Sequence, residues 1–188
     1  MVITKLDIKL NMQDITYRPL KANELVKLQE IDRTEYIAEI YVFENGQLVL
    51  KPEPCLAGTF EPDELDKMIG QQQMLLTNGG KVIGAFDGDR LVGIASVEHS
   101  RRGAHKDYCK MDILYVSHAF RGKRIGHRLV QECKSVATSF GGSKLYVSAT
   151  PTKATVDFYL KLGATLVKEL DPKLFELEPL DIHLELEV

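Results

Sequence analysis

From Lys81 onward the apolar residues switch repeatedly between a period of two and a period near 3.6, and the order of those switches restricts the fold more than any other feature. KVIGAFD and RLVGIASVEHS are β-rich runs joined by the tight turn Asp87-Gly88-Asp89, and KMDILYV follows after a polar loop. The helical period then takes over. Ile125, Leu129, Val130, Cys133, Val136 and Ala137 form one apolar stripe, with polar His127, Arg128, Gln131, Glu132, Lys134 and Ser135 between them. Gly141-Gly142 ends that run. KLYVSAT alternates as a strand, PTKATVDFYLKLG reads as a helix stopped by Gly163, and ATLVKEL and DIHLELEV read as closing strands. The order β-β-β-α-β-α-β-β predicts an α/β fold around a mixed sheet.

The first eighty residues are less regular. ITYRPLK reads as a short strand. A helix is expected over ANELVKLQEIDRTEYIAEI, where Leu25, Leu28, Ile31 and Ile37 recur near helical spacing. EIYVFENGQLVLKPE carries Asn45-Gly46 between two β-rich runs, which predicts a hairpin over about residues 38–53, interrupted by Pro52 and Pro54. Glu61-Pro62-Asp63-Glu64 opens a helix that runs to Asn78-Gly79-Gly80. Neither an internal repeat nor a low-complexity linker divides the chain. Its 188 residues suit a single domain over 1–188, with 1–80 as an N-terminal segment and 81–188 as a core.

Composition removes several function classes. The net charge of -3 argues against bulk nucleic-acid binding. Cys55, Cys109 and Cys133 are odd in number and widely spaced, which argues against a disulfide framework or a zinc site and fits a reducing cytoplasm. No metal is expected. Asp87 and Asp89 do not make a calcium loop, because Val92 stands where that loop requires glycine. No apolar run reaches the length of a membrane span, and MVITKLDIKL lacks a signal-peptide core.

The segment RGKRIG, Arg121 to Gly126, lies between the strand KMDILYV and the striped helix. A glycine-bearing turn at this place exposes the first N–H groups of the helix, which with its dipole attract an anion. Glycine removes the Cβ that would keep an oxyanion away from the backbone. Arg121, Lys123 and Arg124 add charge. Neither GxxxxGK[ST] nor GxGxxG is present, so this is not a nucleotide loop of either familiar kind.

The run MDILYVSHAFRGKRIGHRLV resembles the acetyl-coenzyme A signature of the GNAT superfamily of N-acetyltransferases, Q/R-x-x-G-x-G/A after the fourth core strand. Arg121 and Gly126 match its ends, and Arg124 stands at its middle glycine. TVDFYLKLGATLV is similar to the family's A-x-x-F/L-Y-x-x-x-G-F segment through Phe158, Tyr159 and Gly163, with Thr155, Ala164 and Thr152 as departures. The hairpin KVIGAFDGDRLVGIASVE resembles the family's second and third strands, so the resemblance spans residues 81–188. It implies a mostly antiparallel central sheet flanked by helices, splayed between the fourth and fifth core strands, here with an extra N-terminal β-hairpin.

The resemblance also implies an acetyl-CoA-dependent N-acetyltransferase. In that role the segment Arg121, Gly122, Lys123, Arg124, Ile125 and Gly126 holds the pyrophosphate. Leu114, Tyr115 and Val116 pair with the pantetheine arm and supply an oxyanion donor, and Thr152 lies at the family's coenzyme-side asparagine position. Tyr159 is the implied general acid toward the leaving thiolate. For the base, Asp112 takes the position of the family's glutamate and Glu98 competes with it; strand alternation predicts that Asp112 and Leu114 share a face. A non-catalytic acyl-CoA-binding or regulatory module is the alternative function.

The acceptor remains a small-molecule or peptide amine. Glu35, Tyr36, Glu39, Tyr41, Phe43 and Glu44 group carboxylates with aromatics, which suits a cationic one. The hairpin also offers an edge strand on which a second copy could pair as a homodimer.

Overall fold

The computed structural model describes residues 14–188. A seven-stranded sheet runs in the order β1 (Thr16–Pro19), β4 (Lys81–Asp87), β5 (Arg90–Arg102), β6 (Tyr108–Val116), β7 (Lys144–Ala149), β9 (Ile182–Glu187) and β8 (Thr165–Leu166). Every neighbouring pair is antiparallel except β6 and β7. α1 (Pro62–Thr77) and a 3₁₀ helix (Ala22–Glu30) cover one face over β4 and β5. α2 (Ile125–Ser139) and α3 (Lys153–Lys161) cover the other. A short α4 (Pro172–Leu177) lays Leu174 against Tyr108 and Tyr146, beyond the reach of α1. Among the described residues no helix is long and apolar enough to cross a membrane.

The predicted stripe of α2 is the buried one: Ile125, Leu129, Val130, Cys133 and Ala137 sink into the core with Met111, Val147 and Leu184. Thr152 caps α3 by accepting from the Thr155 N–H at 3.2 Å, and α1 begins with Pro62 followed by two acids.

Four local expectations need correction. The helix foreseen over ANELVKLQEIDRTEYIAEI ends at Glu30, and Glu35–Glu44 is strand β2. Its β-branched and aromatic residues pair with β3 (Gln47–Ala57), and that pairing outweighs the chance helical spacing of Ile31 and Ile37. The hairpin also runs through Pro52 and Pro54 rather than stopping there. β3 belongs to a sheet of two strands, so a proline without an N–H can face its free edge, and a bulge absorbs Glu53 and Pro54 opposite Ala38. Asn45 and Gly46 both take positive φ, as the two-residue turn requires. ATLVKEL contributes only Thr165 and Leu166 to the sheet, and α4, which the sequence reading left unassigned, follows. Asp171 caps it by accepting from the Lys173 and Leu174 N–H groups.

The fourth correction concerns β6. Ala95 pairs with Leu114 and Val97 with Met111, so a single β5 residue, Ser96, opposes both Asp112 and Ile113. This bulge breaks the alternation. Leu114 and Val116 face α2, whereas Asp112 turns to α1, where Gln72 reaches it. Asp112 and Leu114 therefore lie on opposite faces.

Candidate active site

β6 and β7 are paired only from Tyr108–Lys144 to Met111–Val147. Beyond Met111 the strands separate, and the edge of Asp112 to Val116 that would face β7 has no strand on it. On its other edge β7 stays paired with β9 along its whole length, from Lys144–Glu187 to Ala149–Ile182. The sheet thus opens into a cleft whose walls carry unused backbone hydrogen-bonding groups.

The chain leaves this cleft through Ser117 and the 3₁₀ turn His118–Phe120 into the basic turn. Gly122 has φ 74° and Arg124 φ 63°. Left-handed geometry at both turns successive N–H groups the same way. Among the described residues the amides of Gly122, Lys123 and Arg124 have no acceptor, and α2 starts at Ile125 with its first N–H groups free in the same direction. Gly126 is where the helix runs close to α3: a Cβ there would lie 3.3 Å from the Phe158 ring.

The basic side chains divide. Arg121 turns back into the protein, its Nε donating to the Val116 carbonyl at 3.1 Å, one Nη to the Arg33 carbonyl at 3.1 Å and the other to Glu35 at 3.2 Å. Lys123 Nζ lies 4.7 Å above the Phe120 ring, and Arg128 pairs with Glu132 at 2.7 Å. Arg124 is exposed and forms no ion pair among the described residues.

Tyr159 is buried on the α2 face, edge-on to Phe158 at 5.1 Å. Its hydroxyl has no hydrogen-bond partner among the described residues. Burial, reinforced by Cys133 and Tyr115, drives its phenol far above its ordinary value, so it holds its proton throughout the neutral range. Thr152, at the mouth of α3, is buried as a helix cap and bridges to Ile40 of β2.

Across the sheet, Asp112 accepts from Lys110 Nζ at 3.0 Å and from Gln72 Nε2 at 2.8 Å. Burial works against the Lys110 charge, but Asp112 with Glu178 and Glu98 outweighs it, so the ammonium is held above its ordinary range. Glu98 faces Lys110 one step farther from the splay and pairs with Arg102 at 2.8 Å. The sequence reading did not single out Lys110 or Gln72. A lysine and an aspartate two residues apart in a strand were the available signal.

On the acceptor-side segment, Tyr41 donates to Asp157 at 2.8 Å and takes the Pro151 carbonyl through its own N–H. Glu35 and Glu39 line a cleft of about 240 Å³ together with Thr152, Lys153 and Asp157, while Tyr36 and Phe43 are exposed. Glu44 is tied to Lys51 at the hairpin's far end.

A strand splayed from its parallel neighbour, followed by a cradle of free amides and a helix, defines a class, and the comparisons place the chain in it. Residues 30–164 match the profile of the Acetyltransferase (GNAT) family, and the chain belongs to that family. Its fold is similar to that of nourseothricin acetyltransferase, with a TM-score of 0.68 at 17% identity over 92% of this chain and 98% of that one. It is also similar to a protein assigned as a streptothricin acetyltransferase from Bacillus anthracis str. Ames, solved with acetyl coenzyme A (TM-score 0.67, 14% identity, 93% and 98% covered). A third likeness is to PaiA N-acetyltransferase from Thermoplasma acidophilum, solved with coenzyme A (TM-score 0.58, 18% identity, 93% and 99% covered). No curated protein matches the sequence significantly.

Proposed function

We propose that the chain, as one domain, transfers the acetyl group of acetyl-CoA to a primary amine by direct attack on the thioester. The observation that carries this is the opening between β6 and β7, which ends at an amide cradle on one side and has Asp112 and Tyr159 on opposite faces. The amides from Gly122 to Gly126 hold the pyrophosphate, with Arg124 and Lys123 adding attraction. The backbone of Leu114, Tyr115 and Val116 pairs with the pantetheine amides, and one N–H of that edge stabilises the oxyanion. Thr152, which follows β7 and lines the cleft with Glu35 and Glu39, is placed on the coenzyme side.

The amine approaches from the α1 face, where Asp112 meets it. Because Lys110 compensates its charge, Asp112 orients the amine and passes its proton to water; Glu98, spent on Arg102, stands behind it. As the carbon–nitrogen bond forms and the carbon–sulfur bond breaks, the Tyr159 hydroxyl gives its proton to the departing thiolate and regains one from solvent. The net change is acetyl-CoA plus an alkylammonium to an N-alkylacetamide, free coenzyme A and a proton. Two structural neighbours are named as nourseothricin and streptothricin acetyltransferases, which supports a small-molecule acceptor, and the carboxylates Glu35 and Glu39 support a cationic one. We place the protein in the cytoplasm, with no metal, nucleic acid or membrane in the reaction.

The test is release of free thiol from acetyl-CoA across a panel of amines, with native mass spectrometry for coenzyme binding. Thiol release that depends on amine is expected. Coenzyme binding without turnover on any amine would favour a non-catalytic acyl-CoA-binding module, and failure to bind the coenzyme would overturn both.

A further inference from the structure

We infer that the sheet face beside the splay reads a second positive charge, so that the preferred acceptor is a compact diamine-like dication rather than a monoamine. This rests on the amine acetylation proposed above. Two carboxylates close on one ammonium, and a third, Asp181, follows Glu178 by three residues and donates its backbone N–H to the Glu178 carbonyl at 3.2 Å. Lys110 Nζ lies 3.0 Å from Asp112 and 3.8 Å from Glu178. Asp181 directly precedes Ile182, whose partner is Ala149 at the end of β7, so it stands at the same end of the sheet as the opening, one strand beyond β7. Of the other charges nearby, Glu98 is taken by Arg102. His183 Nε2 donates to the Glu178 carbonyl at 3.2 Å and its Nδ1 accepts from the Tyr146 hydroxyl at 2.8 Å, and burial holds the ring below its ordinary value, so it adds no charge at neutral pH. Lys110 balances one of the three carboxylates and leaves two in excess.

Two further observations point to a ligand. Gln72 is fully buried and its Nε2 is fixed on Asp112, yet its Oε1 has no partner among the described residues. A buried amide oxygen left unbonded is costly, and an ammonium aligned with Asp112 would satisfy it. Glu178 Oε2 is likewise buried without a hydrogen bond. Burial and the adjacent Glu178 push the Asp181 carboxyl up to about 6, with Lys110 offsetting only part of the effect. A cation between Glu178 and Asp181 would relieve that repulsion. The reacting amine then sits by Asp112 and Gln72 at the opening, and the remote ammonium between Glu178 and Asp181.

Calorimetric titration of butylamine and of 1,4-diaminobutane into the protein with coenzyme A present tests this, beside thiol-release kinetics with each. The diamine is expected to bind at least about tenfold more tightly. Glu178→Gln and Asp181→Asn should each remove most of that preference while leaving butylamine and coenzyme A binding unchanged. Both side chains are partly exposed, and thermal unfolding confirms that the variants fold. Equal binding of the two amines, or a preference that both variants keep, overturns the inference. If diamine binding follows the variants but no thiol is released, the subsite stands and acetyl transfer fails. If both amines are acetylated alike, transfer stands and the subsite fails.

Discussion

Replacing Arg124 by glycine isolates the backbone of the cradle from its charge. Arg124 sits immediately before α2 with φ 63° and ψ 11° and makes no side-chain cap. A residue with a Cβ costs roughly 1–2 kcal/mol in that region. Glycine removes this cost but gives up about 0.5–1 kcal/mol in the unfolded chain's greater freedom. The net expectation for Arg124→Gly is a gain of about 0.5 kcal/mol, or roughly 1–2 °C in Tm for a chain of this size. Arg124→Ala keeps the strain and loses the side chain, so it should gain nothing. If the amide of residue 124 rather than its guanidinium serves the coenzyme, both variants retain coenzyme affinity within about threefold in moderate salt, where surface charge is screened. Thermal unfolding by circular dichroism and calorimetric titration of coenzyme A read the two effects separately. A glycine variant less stable than the alanine variant would refute the backbone reasoning. A tenfold loss of affinity in both would make the side chain a direct ligand.

Tyr159→Phe should lower turnover about a hundredfold with coenzyme affinity unchanged; retained turnover would remove the phenol from the mechanism. Gly126→Val should cost about 1–3 kcal/mol in stability, because its side chain meets the Phe158 ring, and should also weaken coenzyme binding; denaturant unfolding and calorimetry check both. Asp181 has a folded pKa of about 6, above its unfolded value. Its contribution is therefore fully present below about pH 4 and lost as pH rises through 6. Asp181→Asn should flatten that loss and stabilise the protein by roughly 1 kcal/mol at pH 7.5, a figure discounted for its partial exposure, as urea unfolding at pH 5 and 7.5 would show.

The sheet from β4 to β7 and both core helices were legible because each period is long and bounded by turn residues. Val82 to Phe86 or Ile125 to Ala137 cannot bury its apolar atoms in any other conformation. The cradle was legible for the same reason, since it lies where a strand must become a helix. What escaped was set by pairing at a distance. Tyr36 to Val42 becomes strand only because β3 exists to pair with it. Asp112 faces α1 only because Ser96 opposes two residues, a count that no local period contains. No local period singles out Gln72 or Lys110, and what brings them together is Asp112, where α1 meets β6. Asp171-Pro172 did carry a helix-start signal for α4, which is simply short.

Arg121 joins its own turn to the end of β6 and to the stretch from Arg33 to Glu35. Its guanidinium ties the last carbonyl of β6, the carbonyl of Arg33 and the carboxylate of Glu35, at the root of the β2–β3 hairpin. The residue that leads the basic turn is thus a hub, and the root of the hairpin is tied to it. Without Glu35 the guanidinium would keep only the Val116 and Arg33 carbonyls among the described residues, so a shift of the hairpin root reaches the turn through a single side chain.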